Sequence, residues 1–257
     1  MMRFLILFIV VLLSGQLAAQ QTNDLTVLST NYQPYNYQNN KREPDGHATK
    51  MVQALLTEIR RSSSLAVSDI EFLPWARTYH LAETTPDTLI FSIARTPERE
   101  AKFNWIGKLL PMPVYLYKNA GRNDVVFDKL QRNEVWAVAG VNNGAPTNCI
   151  EEMGYRVVHK SANYEVQFKM LDKGRVDLMV FDSISFAQEV KRLGYSNQQF
   201  APFLYLPQCS YDLYVALNKD SNSSVVEAVQ TAWQTLSDEG ALEPFRAAFE
   251  ETYQPFH

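Results

Sequence analysis

Thr88-Leu89-Ile90-Phe91-Ser92-Ile93-Ala94-Arg95-Thr96-Pro97-Glu98-Arg99 is the stretch on which the fold turns. Thr88 to Ile93 is an apolar run of strand length, short of helical length and without alternation, which reads as a strand buried on both faces. It ends at Ala94-Arg95. Thr96 then stands as a helix N-cap, Pro97 at the first helical position and the acid Glu98 at the second. A buried strand running straight into a helix start is the element of a parallel α/β sheet.

The chain repeats this alternation in both directions. Before it, Leu25 to Ser29 is a short apolar strand. Met51, Val52, Leu55, Leu56 and Ile59 share one helical face, Ile70 to Leu73 reads as strand and Trp75 to Glu83 as helix. After it, the pattern restarts at Val114. Strands are expected at Val114–Tyr117, Val135–Ala139, Tyr155–His159 and Val176–Phe181, the last ending at Asp182. Helices are expected at Val125–Gln131, Thr147–Met153, Tyr164–Leu171 and Ser183–Leu193, with the turn Asn142-Asn143-Gly144-Ala145-Pro146 leading into the second. Tyr211–Leu217 alternates as a strand. Ser224-Val225-Val226-Glu227 then has the form of a capping box opening a long amphipathic helix. The whole reads as two α/β units with helices closing the end.

Composition limits what such a chain can do. Its 257 residues are 46% hydrophobic and carry a net charge of −4, so a large core is affordable, and no basic block invites nucleic acid. Met1-Met2-Arg3 is a short basic start, followed by ten apolar residues from Phe4 to Leu13 and small residues to Ala19. That is the pattern of a secretory signal peptide over residues 1–19, cleaved near Ala19, from which an exported protein is expected, periplasmic by the family resemblance given below. Ten residues rise about 15 Å as a helix, half of a bilayer's hydrocarbon core. In an oxidising compartment Cys149 and Cys209 can either pair or remain two separate buried thiols.

The order of several motifs resembles the extracytoplasmic solute-binding proteins of family 3, which serve polar amino-acid ABC transporters. Its marks are Pro34-Tyr35 after the first strand, Gly46 before the Met51 helix, and the segment Ser92 to Glu100. Gly144, Gly174-Arg175-Val176-Asp177, Phe181-Asp182 and Asp238-Glu239-Gly240 extend it, so that it spans Leu25 to Phe249. The resemblance implies a type II-like periplasmic binding protein fold: two α/β lobes joined by two crossing strands, with ligand in the cleft. Lobe one would take residues 20–113 and 213–257, and lobe two residues 114–212.

It also implies roles. Arg99 would grip a ligand carboxylate with its planar fork, beside the amides of a helix start. Asp182 would receive an ammonium, although an Asp at that point also caps the Ser183 helix well. Ser92 and the Asn143-Gly144-Ala145 turn would add small polar contacts, while Tyr32, Tyr35 and Trp75 could form aromatic walls or simply belong to the core. Two departures stand out. Ala94 occupies a place where amino-acid binders often carry a hydroxyl, and Arg77 and Arg95 add positive charge near the expected anion site, which would suit a more anionic ligand.

No hydrolase elbow, nucleotide loop or metal-binding histidine pair occurs, and no cofactor is expected. The sequence thus points to a monomeric binding protein for a small amino-acid-like or anionic solute, working with an inner-membrane permease. A periplasmic sensory protein working with a membrane receptor is the alternative. Less favoured is an enzyme like the exported cyclohexadienyl dehydratases, which share the fold.

Overall fold

The computed structural model describes residues 24–126 and 135–253. The expected signal peptide lies outside the described residues, as does most of the expected helix at Val125–Gln131.

In chain order the elements are β1 (Asp24–Ser29), β2 (Tyr37–Gln38), β3 (Pro44–Asp45), α1 (His47–Ser62), β4 (Ala66–Phe72), α2 (Trp75–Thr84) and β5 (Thr88–Ala94). A six-residue 3-10 turn, Pro97–Lys102, leads to β6 (Phe103–Met112) and β7 (Val114–Asn119). Next come β8 (Ala137–Val141), α3 (Ala145–Glu152), β9 (Arg156–Ser161), α4 (Tyr164–Asp172), β10 (Leu178–Asp182), α5 (Ser183–Arg192) and β11 (Phe200–Tyr205). A short 3-10 turn at Pro207–Cys209 precedes β12 (Tyr211–Asn218), α6 (Ser223–Asp238) and α7 (Glu243–Thr252).

Two five-stranded sheets result. The first has the order β4-β1-β5-β12-β6 and the second β11-β7-β10-β8-β9. All seven residues of β5 are buried, and it pairs in parallel with β1 and antiparallel with β12. The apolar face of α1 packs with that of α6, which buries Val225, Val229, Ala232, Trp233 and Leu236. Gly107 in β6 admits the Trp233 indole: a Cβ there would lie 1.9 Å from the ring. In the second sheet the rings of Tyr117 and Phe186 stack with centroids 3.6 Å apart, beside Phe168, Phe181 and Phe200. The chain passes between the sheets at Pro113, between β6 and β7, and at Leu206–Ser210, between β11 and β12.

Four local expectations need correction. The segment opened by Thr96 is a single 3-10 run that turns at once into β6, because the apolar, β-favouring residues from Phe103 onward pair with β12. Strands β6 and β11 were not expected. The last long helix begins at Ser223 with Asn222 at its N-cap, and Asn222 turns its side chain to Asp87 across the loop rather than capping the helix. Strand β4 starts at Ala66, four residues earlier than its apolar half suggests.

Candidate functional site

Where the C-terminal ends of β1 and β5 meet those of β8 and β10, a cavity of about 70 Å³ lies between the two sheets. This is the edge at which open α/β sheets receive ligands. Its walls join Thr30, Tyr32, Trp75, Ser92, Ala94 and Arg99 from the first sheet's side to Gly144, Ala145, Thr147, Tyr164, Phe181 and Asp182 from the second.

Arg99 is buried, 5% exposed, in the 3-10 turn after β5. No carboxylate pairs with it among the described residues. Its Nη1 donates to the Ala94 carbonyl at 3.1 Å and its Nη2 to the Asn143 carbonyl at 2.9 Å. The guanidinium lies 5.3 Å from the ring centroid of Trp75 and 5.0 Å from that of Tyr79. Burial presses its pKa down, with Tyr79 acting against that. A buried cation held by carbonyls and π-faces is stabilised enough to persist, and a carboxylate arriving in the cavity would complete its charge balance.

Asp182 ends β10, 2% exposed. Its Oδ1 accepts from the Ser185 amide at 2.9 Å, capping α5, and from the Tyr35 hydroxyl at 3.3 Å. Its Oδ2 accepts a short bond from the Tyr32 hydroxyl. Burial pushes its pKa up to about 6 against the opposing pull of these bonds. Asp182 is thus both helix cap and cavity wall. The two tyrosines come from the loop after β1, so they bridge the two sheets, and the same burial raises their own pKa values.

Other expected residues fall in different places. Ser92 lines the cavity with φ of 57°, a left-handed conformation unusual for a residue other than glycine, and its buried Oγ has no hydrogen-bond partner. Asn143, also left-handed at 55°, turns its carbonyl to accept from Arg99 and from the Trp75 indole at 3.2 Å. Its side of the cleft opens on a second, more polar cavity of about 300 Å³ bordered by Glu98, Asn148, Cys149 and Glu152. Tyr35 stands behind the cavity wall, fully buried, its single hydroxyl proton shared between Asp182 and the nearer Pro111 carbonyl at 2.9 Å.

The expected extra positive charge is not in the cavity. Arg77 is exposed on α2 and lines neither cavity, and the Glu83 carboxylate on the same helix pairs with Lys102 at 2.7 Å. Arg95 points away, gripping Glu100 and lying over the rings of Trp105 and Tyr214. Arg95 follows the end of β5 and turns to the side of β12 and β6, whereas Arg99, within the 3-10 turn, is brought back against the Ala94 carbonyl and the cleft. The walls Met112, Tyr164, Phe181 and Leu213 escaped the sequence reading, since each looks like any core residue of its element. Cys149 in α3 and Cys209 before β12 are bridged, with Cα atoms 5.6 Å apart.

No family model and no curated protein sequence matches the chain. Solved structures do. A histidine kinase sensor domain with similarity to periplasmic binding proteins superposes with a TM-score of 0.69 at 14% identity, covering 88% of this chain and 95% of that one. The substrate-binding protein of an amino-acid ABC transporter from Streptococcus pneumoniae, bound to L-arginine, gives 0.66 at 17% identity, with 87% and 92% covered. An ancestral amino-acid-binding protein described as a precursor of cyclohexadienyl dehydratase gives 0.68 at 16%, with 91% and 96% covered. The chain therefore has the two-lobe α/β fold of the periplasmic amino-acid-binding proteins.

Proposed function

We propose that the protein is an exported, periplasmic solute-binding protein that captures a small amino-acid-like or anionic solute for an ABC-type uptake system. The observation that carries this reading is Arg99: a buried guanidinium at the wall of an inter-sheet cavity, with no carboxylate among the described residues in ion-pair contact with it. An amino-acid-binding transporter component and an ancestral amino-acid-binding protein among the similar structures support it. So does the signal-like N-terminus, and no helix among the described residues is long and apolar enough to cross a membrane. In this reading residues 20–113 and 213–257 form one lobe and 114–212 the other. The lobes close on the solute about the passages near Pro113 and Leu206–Ser210. Arg99 holds the anion, Ser92 and the Gly144-Ala145 turn add polar contacts, and Trp75 covers the apolar part. The protein acts as a monomer that docks on a permease, and it binds without turning its ligand over.

The test is a thermal-shift and calorimetric screen of the purified protein against amino acids, dicarboxylates and prephenate. A saturating ligand at a hundred times its dissociation constant adds about 2.7 kcal/mol, a shift of several degrees. Arg99→Ala should weaken the hit at least tenfold, since buried charge-assisted bonds contribute about 1.5–3 kcal/mol. Unchanged affinity removes Arg99 from the site, and turnover of prephenate would replace binding by catalysis. The sensory alternative draws on the histidine kinase sensor domain among the similar structures, and a solute hit without an interacting permease would favour it.

A further inference from the structure

The polar groups around the main cavity are unequal in kind. Two of the five guanidinium N–H donors of Arg99 go to the Ala94 and Asn143 carbonyls, and the guanidinium also leans on the Tyr79 hydroxyl, which leaves donors over. The Ser92 hydroxyl is buried at the wall without a partner. Ala145 and Thr147 bring two backbone amides from the amino end of α3 to the same space, the Gly144 amide being taken by the Val141 carbonyl and Pro146 having none. Donors are therefore in surplus.

Acceptors are not. The Ala94 carbonyl already accepts from Arg99, and the Asn143 carbonyl from both Arg99 and Trp75. Thr147 Oγ1 accepts from the Val141 amide at 2.9 Å. Asp182, the one acid lining the cavity, accepts from the Ser185 amide and from two tyrosine hydroxyls. The rest of the lining is largely apolar, with Trp75, Met112, Val141, Val180, Phe181 and Leu213, and the other polar side chains, Thr30, Tyr32 and Tyr164, bring neutral hydroxyls rather than a second acid. An ammonium entering this space would shed its hydration without a free carboxylate to meet it, whereas a carboxylate would find unoccupied donors.

We propose that the solute is a carboxylic acid with an apolar body and no ammonium group, and that Asp182 serves as the acceptor of the Tyr32 and Tyr35 hydroxyls rather than as a ligand contact. This rests on the reading of Arg99 as the anion anchor and narrows the class of solute it holds. Tyr32 and Tyr35 are then specificity-determining: their hydroxyls occupy the acid that would otherwise select an amino acid.

Matched pairs that differ only in the ammonium test this with the unaltered protein. The probes are 3-phenylpropanoate against L-phenylalanine and 4-methylpentanoate against L-leucine, each titrated calorimetrically. At least one of the ammonium-free acids should bind tenfold or more tightly than its amino-acid partner. Arg99→Ala and Arg99→Lys should both lose that binding, and Asp182→Asn, whatever it costs closure, should leave the ratio between the two members of each pair within about threefold. The inference is overturned if an amino acid of either pair binds more tightly and loses its advantage in Asp182→Asn. It is also overturned if neither pair binds while a dicarboxylate or a polar amino acid gives an Arg99-dependent signal, an outcome that leaves the Arg99 reading standing. Silence across every amino acid and carboxylate tried removes the Arg99 site and this inference together.

Discussion

Asp182 carries the clearest pH signature of any single residue. Burial lifts its pKa from the ordinary carboxylate value of 3.8 to about 6, so between those values the folded protein holds a proton that the unfolded chain releases. A carboxyl raised in this way contributes stability that is fully present below about pH 4 and lost as pH rises through 6. Wild type should therefore gain on Asp182→Asn by up to about 3 kcal/mol as pH falls from 7 to 4. Denaturant titrations of both proteins at several pH values check it, and parallel profiles would remove the effect. The residue scale also shows what was legible in the sequence. Asp182 stood out because it ends a buried strand with a charge, and Arg99 because it falls in the first turn after one, and both line the cavity. Arg77 and Arg95 looked equally suitable in one dimension. Only the direction in which each side chain leaves its element separates them, and proximity in sequence does not carry that direction.

Elements were legible in proportion to how deeply they are buried. The seven buried residues of β5 and the five-residue apolar face of α1 announce themselves. Strands β6 and β11 did not, and both are edge strands containing proline, Pro111 and Pro202. An edge strand needs hydrogen bonds on one side only, so it tolerates Pro, Gly and Lys that break the apolar pattern of a central strand. The half-read β4, polar at Ser68, Asp69 and Glu71, is an edge strand too. One element-level prediction concerns the bridge from α3 to the turn before β12. It spans 60 residues of sequence, for which the chain-entropy account gives about 4 kcal/mol. Reduction, or Cys149→Ser with Cys209→Ser, should lower the melting temperature by roughly ten degrees in a calorimetric scan. Solute affinity should fall as well, because α3 brings Ala145 and Thr147 to the cavity wall and loses its tether to the passage between the sheets. An unchanged melting temperature in both variant and reduced protein would show that the loop is held by packing alone.

At the scale of the whole molecule, the two sheets are joined across the cleft by few directed bonds. Arg99 and Trp75 reach the Asn143 carbonyl from one side, and Tyr32 and Tyr35 reach Asp182 from the other. Tyr32 further stacks on Tyr164, with centroids 5.7 Å apart. A molecule that must admit and release its solute needs a closed state only a few kcal/mol below the open one, so each of these bonds is a sizeable share of the difference. Tyr32→Phe keeps the ring and its stacking but removes the hydroxyl. Asp182 then retains only the Ser185 amide and the more distant Tyr35 hydroxyl, and the closed state loses about 1–2 kcal/mol. The cost should appear as a five- to twentyfold weaker dissociation constant, carried by faster release rather than slower capture, since association depends on the open form. Stopped-flow release from wild type, Tyr32→Phe and Tyr37→Phe separates the effects. Tyr37 donates to Asp45, away from the cleft, and its variant should release solute at the wild-type rate. Equal release from all three proteins would mean that the Tyr32–Asp182 bond persists in the open molecule and does not latch the lobes.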